Sequence, residues 1–442
     1  MLEQLSCDLL VVGGGMAGLS AAARAAECGA RVIIVEKAAH TGGSAALSGG
    51  IVWTLQSARK LNFHARGRPE LGVLVVEEYP EVIRWLRSRD VEMSQAMPVL
   101  RGRGYQIDIL GHLRDCALSI EKTGGHVALS STVRNLIRDE SGAVCGAVVS
   151  HADGDVEIRS PWVLLATGGF SANPEMLAER LHPNARNMRL RSNPFSDGGG
   201  IRLGLSVGGI FGARNRGFYG HLVADGEWGD PRMYAPLTQY HSEYSLLINE
   251  QGERFCDESE GDHVCTFDVL VQSNARALLV WDARIHRDYI MTPLVAVASP
   301  LDKMELALKR GAEGAIVQSL DEIGDFASRH GFHGEKTVAT IKDYNRLLVE
   351  GWEQLTPLRV EEILPVNQPP FYLLVVHPAV TFTYDGLVID TKARALDTNQ
   401  RPIAGLLVAG ADAGDVYGLG YAGGLSLAAA LGLLAARTAG YG

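Results

Sequence analysis

The sequence predicts an α/β fold built on a Rossmann-type dinucleotide-binding domain, and three observations near the N-terminus support this. An apolar run at residues 8–12 is typical of a buried parallel strand. Three glycines follow it in G-x-G-x-x-G spacing, namely Gly13, Gly15 and Gly18. An alanine-rich helix at 17–28 then leads to a second apolar strand at 31–35, which ends at Glu36. The complete unit favours a dinucleotide site over a structural turn, which glycines alone would not exclude.

Each residue type has a physical role in this unit. Gly13 allows the tight turn, Gly15 lets the backbone approach a pyrophosphate, and Gly18 lets the helix pack closely on the strand. The helix N-terminus directs unpaired N–H groups and the positive end of its dipole at phosphates. Glu36 is placed to accept hydrogen bonds from an adenosine ribose. The pattern does not distinguish NAD from FAD. The dinucleotide contacts predicted here are Gly13, Gly15, Met16, Ala17, Gly18, Glu36 and Lys37.

Bulk properties limit the classes of function. A length of 442 residues predicts two or three domains. A net charge of −10 argues against nucleic acid or an anionic membrane surface as the main partner. The six cysteines form no C-x-x-C motif and are expected to be inert core residues, and no metal site is expected. The N-terminal sequence resembles no secretory signal, and the apolar stretch at 425–436 is too short to span a bilayer, so we expect a cytoplasmic protein.

A second glycine-rich segment lies at residues 41–53. Two glycine pairs flank small hydroxyl residues just after the second strand. Such a segment offers backbone N–H groups and serine hydroxyls to a phosphate, and close backbone approach to a flat ring. A flexible linker is a poorer interpretation, because apolar residues at 45–47 interrupt the segment. The candidate ligands are Gly42, Gly43, Ser44, Ser48, Gly49 and Gly50.

At this segment the sequence resembles the flavoprotein family of fumarate reductase and succinate dehydrogenase subunits. The same family includes tricarballylate dehydrogenase and the 3-ketosteroid dehydrogenases. The resemblance implies FAD as the cofactor of the first site. Succinate dehydrogenases carry a histidine in this segment that bonds covalently to the flavin, and Gly43 occupies that place here. The resemblance therefore implies non-covalent FAD.

Further segments resemble the family in order over nearly the full length. The strand around 133 resembles the one whose backbone contacts adenine, and 166–169 resembles the family's A-T-G-G motif. Residues 193–204 resemble its T-G-D-G-I segment, and 418–427 its last glycine loop. These segments imply further FAD contacts at Val133, Ala166, Thr167, Gly168, Asn193, Asp197, Gly410, Asp412, Gly424, Ser426 and Leu427. Aromatic residues, histidines and charges become frequent between them. The predicted domains are therefore an FAD-binding domain at 1–216 and 371–442 and an inserted α+β capping domain at 217–370.

The assignment of Asp412 carries an alternative. Relatives show A-G-E, whose acid binds the ribityl chain of FAD, whereas residues 409–412 shift the acid by one position. Either Asp412 substitutes for that acid or the turn differs.

Tyr421 is the main candidate for catalysis. It lies in Gly420-Tyr-Ala-Gly-Gly424, where fumarate reductases hold a proton-donating arginine. The 3-ketosteroid dehydrogenases have in the matching loop a tyrosine that removes a proton alpha to a carbonyl. A phenol pKa near 10 is high for a base, so a hydroxyl, a cation or a helix dipole must assist. The candidate helpers are Tyr219, Tyr240, Tyr244 and His221; the alternative is a packed structural tyrosine. The helix after Gly424 either directs its dipole at the negative charge of reduced flavin or only packs.

Departures from the family bear on the substrate. Thr381 and Phe382 stand where a fumarate-binding histidine is expected, and the second arginine is replaced around Asp262 and His263. Two buried carboxylates would then lack partners. The resemblance therefore favours a neutral or singly charged cyclic ketone. His221 lies near the hinge histidine of relatives, where it hydrogen-bonds a substrate carbonyl or serves a structural purpose.

Together these patterns predict an FAD-dependent dehydrogenase that forms a carbon–carbon double bond beside a carbonyl. Tyr421 takes the alpha proton, flavin takes the beta hydrogen as hydride, and the N–H near Gly424 with His221 polarises the carbonyl. The runner-up is the reverse, an ene reductase acting on an enoate or enone. A third interpretation is a non-catalytic flavoprotein. With no second dinucleotide motif and no haem or iron–sulfur cysteine set, oxygen, a quinone or a separate carrier is expected to exchange electrons with the flavin.

Overall fold

A computed structural model of the chain describes residues 3–214, 217–226, 228–292 and 301–442. The chain divides into two compact units. Unit 1 comprises residues 1–176, 192–219 and 382–442, and unit 2 comprises 177–191 and 220–381. The segment 177–191, which the sequence prediction placed in the FAD-binding domain, clusters with unit 2.

The described strands, in chain order, are β1 (Glu3–Ser6), β2 (Leu9–Val12), β3 (Val32–Val35), β4 (Ile51–Thr54), β5 (Met97–Val99), β6 (Gly102–Gln106), β7 (His126–Ala128), β8 (Thr132–Arg138), β9 (Val144–His151), β10 (Gly154–Arg159), β11 (Val163–Leu165), β12 (Arg189–Leu190), β13 (Phe218–Ala224), β14 (Leu246–Ile248), β15 (Ala277–Asp282), β16 (Gly314–Val317), β17 (Phe371–Thr383), β18 (Arg394–Leu396) and β19 (Pro402–Val408).

The described α-helices are α1 (Met16–Glu27), α2 (Ala58–Ala65), α3 (Pro69–Ser88), α4 (Ile109–Lys122), α5 (Pro174–Arg180), α6 (Gly199–Ser206), α7 (Asp262–Leu270), α8 (Ala283–Ile285), α9 (Lys303–Lys309), α10 (Leu320–Arg329), α11 (Gly334–Glu350) and α12 (Gly424–Thr438). Within the described ranges, none of them combines the length and apolar character that crossing a bilayer requires.

The central sheet of unit 1 is six-stranded, with the order β18-β19-β11-β2-β3-β7. The strands from β19 to β7 are mutually parallel, and β18 pairs antiparallel with β19. All four residues of β2 are buried, as a strand covered on both faces requires. Helix α1 packs against α4 and α12. The predicted strand, helix and strand are thus confirmed as β2, α1 and β3, and the parallel sheet confirms the Rossmann-type fold.

Unit 2 is built around a mixed sheet with the order β12-β17-β15-β14, and β13 and β16 also pair with β17. Its core contains long apolar side chains of β15 and β17, among them Trp281 and Leu374. Helices α7, α10 and α11 contribute further buried residues such as Phe326 and Ile341. The described residues of this α+β unit contain no glycine-rich phosphate loop, so its chemistry depends on individual side chains.

Candidate active site

The first glycine turn is fixed by backbone packing at two positions and open at the third. Gly13 has φ +108°, and a Cβ there would lie 2.3 Å from the carbonyl oxygen of Ala166. A Cβ on Gly18 would lie 2.0 Å from the oxygen of Gly13. At Gly15 the nearest atom would be 3.9 Å away, so this position has room for an approaching group. Gly15 also precedes α1, whose N-terminus has no side-chain cap.

Glu36 lies beside this turn with its carboxylate partly engaged. Its Oε2 accepts from the N–H of Gly14 and its Oε1 from the N–H of Ala38, both at 2.7 Å. The side chain is 6% exposed. A carboxylate has about four acceptor positions, so two remain for a ribose hydroxyl.

The second glycine segment is joined to the first by backbone. The N–H of Gly42 donates to the carbonyl of Gly14 at 2.7 Å. Gly42 and Gly43 have φ of +117° and +51°, where a side chain would be strained. A short 3₁₀ turn, Gly43–Leu47, follows. The hydroxyl of Ser48 closes this turn on the carbonyl of Ala45 at 2.7 Å.

Residues at the ends of this segment differ in what they leave accessible. Ser44 accepts through its Oγ from the N–H of Asn193 at 3.2 Å. A Cβ at Gly49 would meet no atom within 4 Å, whereas one at Gly50 would lie 2.4 Å from the oxygen of Ile107. Gly49 is thus the exposed, open position of the second pair.

Asp412 joins the glycine loop after β11 to the 3₁₀ turn Gly410–Asp412. Its Oδ2 accepts from the N–H of Thr167 at 2.5 Å, and its Oδ1 from the N–H of Gly169 at 2.9 Å. The hydroxyl of Thr167 also bonds both oxygens, at 3.0 and 2.9 Å. Asp412 is fully buried, and burial raises the pKa of its carboxyl although these donors oppose the rise.

Lys37 and Asp197 pair with one another. The Lys37 Nζ lies 2.7 Å from Asp197 Oδ2. Burial by itself raises the pKa of Asp197, but the Lys37 ammonium and the Arg202 guanidinium outweigh it and hold the pKa below its usual range. Asp197 Oδ1 also accepts from the N–H of Gly199 at the start of α6.

The remaining predicted cofactor contacts lie at strand ends and at the start of α12. Val133 lies on β8, an edge strand of the sheet β1-β10-β9-β8. Gly168 has φ +96°, and a Cβ on Gly410 would lie 3.1 Å from Ala17 Cβ. The hydroxyl of Ser426 bonds the carbonyl of Trp53, and both Ser426 and Leu427 are buried.

Tyr421 lies in a cluster of aromatic rings within unit 1. Its ring stacks on that of Tyr219, with centroids 3.6 Å apart and planes at 12°. Trp53 meets it edge-on at 5.4 Å, and Phe382 and Tyr417 lie at 6.0 and 6.3 Å. The half-buried phenol is therefore held in one orientation by the surrounding rings.

The phenol oxygen of Tyr421 accepts a hydrogen bond from the N–H of Gly424 at 2.9 Å. Gly424 is the first residue of α12, so this donor lies at the positive end of the helix dipole. A donor and a dipole at this position stabilise the phenolate. Burial raises the pKa of the neighbouring Tyr384 and Tyr417 well above the usual value, so these two phenols stay protonated.

In unit 2, His221 and Asp262 form a buried pair. His221 Nδ1 lies 2.6 Å from Asp262 Oδ2. Burial lowers the pKa of His221 to about 4, the Arg191 cation adds to this effect, and Asp262 opposes it. His221 is therefore neutral near pH 7. Because a carboxylate accepts at Nδ1, the proton lies on Nδ1 and Nε2 is a hydrogen-bond acceptor.

Arg191 and Lys303 lie on either side of Tyr240, also in unit 2. Arg191 Nη2 donates to the Tyr240 oxygen at 2.8 Å, and the Lys303 Nζ lies 4.8 Å from the centre of the ring. Burial and the Arg191 cation lower the pKa of Lys303 to about 8. The ring of His221 meets that of Tyr240 edge-on at 5.1 Å.

Tyr244 is in a different environment within unit 2. It stacks on Tyr289 with centroids 4.2 Å apart, and burial together with the acidic neighbours Glu243 and Glu362 raises its pKa to about 12. A phenol of this kind stays protonated near neutral pH.

Two of the cysteines that were expected to be inert lie together in unit 2. Potential ligand atoms of Cys256, Cys265 and Asp268 lie within 4.8 Å of one another. Burial contributes to a raised pKa of both thiols, and burial raises the pKa of Asp268 to about 6.

Comparison with known proteins identifies the family. Residues 8–427 match the family described as FAD binding domain. The chain belongs to this FAD-binding family. Among curated relatives, it is 28% identical to a vinyl phenol reductase of Lactiplantibacillus plantarum over 93% of this chain and 92% of that protein. It is 25% identical to a 4-oxocyclohexanecarboxylate 2-dehydrogenase of Sinomonas cyclohexanicum over 98% of this chain and 92% of that protein.

Solved structures show the same fold. A 3-ketosteroid delta1-dehydrogenase from Sterolibacterium denitrificans superposes with a TM-score of 0.78 at 19% identity, covering 98% of this chain and 99% of that one. The open form of a flavocytochrome c3 fumarate reductase gives 0.75 at 22% identity, covering 98% and 78%. These likenesses confirm the predicted fold and family. The chain is thus an FAD-dependent oxidoreductase acting on CH–CH groups, and the non-catalytic interpretation is wrong.

The first two glycine segments of this FAD-binding chain fit the cofactor. Gly15 and Gly49 leave space where a side chain would otherwise fill it, and the first turn of α1 offers uncapped N–H donors. Glu36 retains acceptor capacity for a ribose, and the edge strand β8 presents backbone beside it. These residues would hold the dinucleotide portion of FAD.

Four predicted FAD contacts have partners within the protein. Asp412 accepts hydrogen bonds from Thr167 and Gly169 and so fixes the glycine loop, while its assignment as the ribityl ligand stays a prediction. Asp197 and Lys37 neutralise each other, and the Ser426 hydroxyl is buried against β4. The motifs singled out these residues, but they did not indicate their hydrogen-bond and ion-pair partners, which lie far away in sequence.

The structure places the catalytic candidates in two different environments. His221 is bound to Asp262 through Nδ1, and its predicted role, to polarise a substrate carbonyl, stays a prediction. The N–H of Gly424 is directed at Tyr421 instead of being available for this purpose. Tyr219 contacts Tyr421, whereas Tyr244 stacks on Tyr289 in unit 2 and its role as a helper stays a prediction. Arg191 and Lys303 were missed, because no motif surrounds either of them.

Proposed function

We propose that this flavoprotein introduces a carbon–carbon double bond beside the carbonyl of a cyclic ketone, with Tyr421 as the group that removes the alpha proton. The observation that carries the proposal is the Gly424 N–H bound to the phenol oxygen at 2.9 Å. That donor stabilises the phenolate, which is the form that accepts a proton. Relatives with this activity support the direction, since one is named a 4-oxocyclohexanecarboxylate 2-dehydrogenase.

Several aromatic residues of unit 1 have separate roles in the proposed reaction. Tyr219 stacks on Tyr421 and fixes the plane of its ring, while Trp53 and Phe382 exclude water around it. Bound FAD supplies the acceptor for the beta hydrogen, which leaves as hydride with its electron pair. The alpha proton moves to the oxygen of Tyr421, and the electron pair of the broken alpha C–H bond forms the carbon–carbon double bond. Oxygen, a quinone or a separate carrier then takes the two electrons.

The test is anaerobic mixing of the oxidised holoenzyme with cyclic ketones such as 4-oxocyclohexanecarboxylate, followed by the flavin absorbance. We expect bleaching with the wild type and loss of at least about a hundredfold in its rate with Tyr421→Phe, because general base catalysis contributes this much or more. FAD content should be unchanged. Tyr384→Phe is the matched control, since it removes a buried phenol of the same ring cluster. Full bleaching by Tyr421→Phe would remove this residue from the mechanism.

The reverse reaction is the second candidate. It is favoured by the vinyl phenol reductase among the relatives. In that direction Tyr421 donates a proton to the substrate, so the same residue is tested. Anaerobic mixing of reduced enzyme with enones or vinyl phenols would show flavin reoxidation if reduction is the preferred direction, and no change if desaturation is.

We also propose that the FAD is held without a covalent bond, because Gly43 offers no side chain to the flavin. Acid precipitation should release all of the yellow cofactor into the supernatant. Colour retained in the pellet would contradict this.

A further inference from the structure

Arg191 is an arginine with hydroxyl partners in place of a carboxylate. Its Nε donates to Thr238 Oγ1 at 3.2 Å, its Nη1 to Thr381 Oγ1 at 3.1 Å, and its Nη2 to the Tyr240 oxygen at 2.8 Å. Among the described residues, no carboxylate lies within ion-pair distance of it. A guanidinium has five N–H groups, so two are left by these bonds.

Three other arginines of unit 2 have carboxylate partners. Arg189 pairs with Asp225 at 2.7 Å, and Arg254 and Arg276 pair with glutamates at 2.6 Å. A part-buried cation without such a partner costs desolvation free energy that hydroxyl groups repay only partly. Arg191 is therefore suited to an acid that the chain itself does not provide.

A second cation accompanies it. Lys303 donates from Nζ to the carbonyls of Ala235 and Pro236, at 2.9 and 3.2 Å, which accounts for two of its three N–H groups. In the described part of the chain it too has no carboxylate within ion-pair distance. Tyr240 contacts both cations, through its oxygen to Arg191 and through its ring to Lys303.

The charges around this tyrosine indicate what would bind. His221 meets the Tyr240 ring and is neutral, while Asp262, bound to His221, carries one negative charge. Asp262 is also the carboxylate that acts on Lys303, and the two cations exceed it by one positive charge. An anion with one charge would balance the cluster, whereas a dianion would leave an excess in a half-buried setting.

We propose that Arg191, Lys303 and Tyr240 form a binding site for a carboxylate monoanion in unit 2. The fork of N–H donors on Arg191 matches a carboxylate, and the Lys303 ammonium adds a point charge. If the ligand is the carboxylate of the substrate, the substrate is a singly charged keto acid, and only this identification rests on the function proposed above. The same chemistry would serve a separate carboxylate that acts as an effector.

The first test is calorimetric titration of the holoenzyme with benzoate and, as its neutral counterpart, benzamide. Benzoate has no saturated carbon that could lose hydrogen, so binding is measured without reaction. We expect benzoate to bind at least tenfold more tightly than benzamide. Arg191→Gln and Lys303→Gln should each weaken benzoate about tenfold and leave benzamide unchanged, because charge-assisted bonds are lost.

Two exposed cations of unit 2 serve as matched controls. Arg232 pairs with Asp230, and Lys309 pairs with Glu305, and both side chains are largely exposed. Arg232→Gln and Lys309→Gln should change benzoate affinity less than twofold. If Arg191→Gln does not fold, Arg191→Lys together with Lys303→Gln carries the test. Equal binding of benzoate and benzamide, or equal losses in the control variants, would overturn the proposal.

A second measurement separates this site from the proposed reaction. We expect benzoate to slow flavin bleaching by 4-oxocyclohexanecarboxylate in proportion to its occupancy, which assigns the site to the substrate. If benzoate binds but does not slow bleaching, the site stands as an effector site. If 4-oxocyclohexanecarboxylate does not bleach the flavin, but benzoate affinity still differs between the wild type and the Arg191 and Lys303 variants, the proposed reaction is overturned and the anion site stands.

Discussion

The two candidate regions differ in what specifies them. In unit 1, the glycine segments are determined by backbone geometry at fixed spacing, as the contact between Gly13 and Ala166 shows. In unit 2, the charged cluster consists of Arg191, Lys303 and Tyr240, which are far apart in sequence. The hydroxyl partner Thr381 is more distant still. A substitution in the first region therefore changes stability or FAD binding through the space that the new side chain fills. A substitution in the second region changes anion binding through the charge that it removes.

The largest expected effect separates two glycines of one turn. Gly18→Ala places a methyl group 2.0 Å from the oxygen of Gly13, so we expect a loss of about 3–5 kcal/mol in the free energy of unfolding. Gly15→Ala meets no atom closer than 3.9 Å, so the apoprotein should lose less than about 0.5 kcal/mol. FAD affinity should still fall at least tenfold for Gly15→Ala, because its methyl group occupies the approach to the phosphates.

Thermal unfolding of the apoproteins and fluorescence titration with FAD check this pair. Wild-type FAD affinity in Gly15→Ala would show that the open space at this glycine is not used by the cofactor. The shape argument for unit 1 would then fail at its central position.

Asp412→Asn tests whether a buried charge in unit 1 serves structure or cofactor. An amide offers one oxygen to donors that now share two, so we expect a loss of about 2–3 kcal/mol in the free energy of unfolding. FAD affinity of the folded fraction should stay within about threefold, since the carboxylate is occupied by Thr167 and Gly169. Asp155→Asn, an exposed control on β10, should cost less than about 0.5 kcal/mol. Weaker FAD binding without a loss of stability would restore Asp412 as a ribityl ligand.

The same contrast explains how far sequence reasoning reached. The Rossmann core was predictable, because β2, α1 and β3 are local elements whose periodicity and glycine spacing depend on neighbours in sequence. The glycine loop singled out Tyr421 as a candidate, whereas the Gly424 N–H, which the sequence analysis assigned to the substrate, donates to the phenol oxygen of Tyr421. Asp412 was recognised as an important acid, although its partner lies 245 residues away along the chain.

Unit 2 shows the limit of this reasoning. The hydroxyl partners of Arg191 are Thr238, Tyr240 and Thr381. Lys303, at the start of α9, contacts the ring of Tyr240. None of these residues has a motif of its own, so only the fold brings them together. The prediction that arginines are missing was therefore true of the family positions and incomplete for unit 2.

The smallest expected effect is a pH dependence in the charged cluster. Burial lowers the pKa of Lys303 to about 8, so its ammonium is charged at pH 7 and mostly neutral at pH 9. Over this range Arg191 stays charged, and His221 and His241, whose pKa values are lowered, stay neutral. Glu243, whose pKa burial raises to about 7, interacts with Asp262 rather than with Lys303. Benzoate affinity should therefore fall about three- to tenfold as pH rises from 7 to 9, because one of two cations is lost. In Lys303→Gln the affinity should be weaker and flat across the same range. A flat profile in the wild type, or an equal decline in Lys303→Gln, would mean that Lys303 does not contribute its charge to the anion.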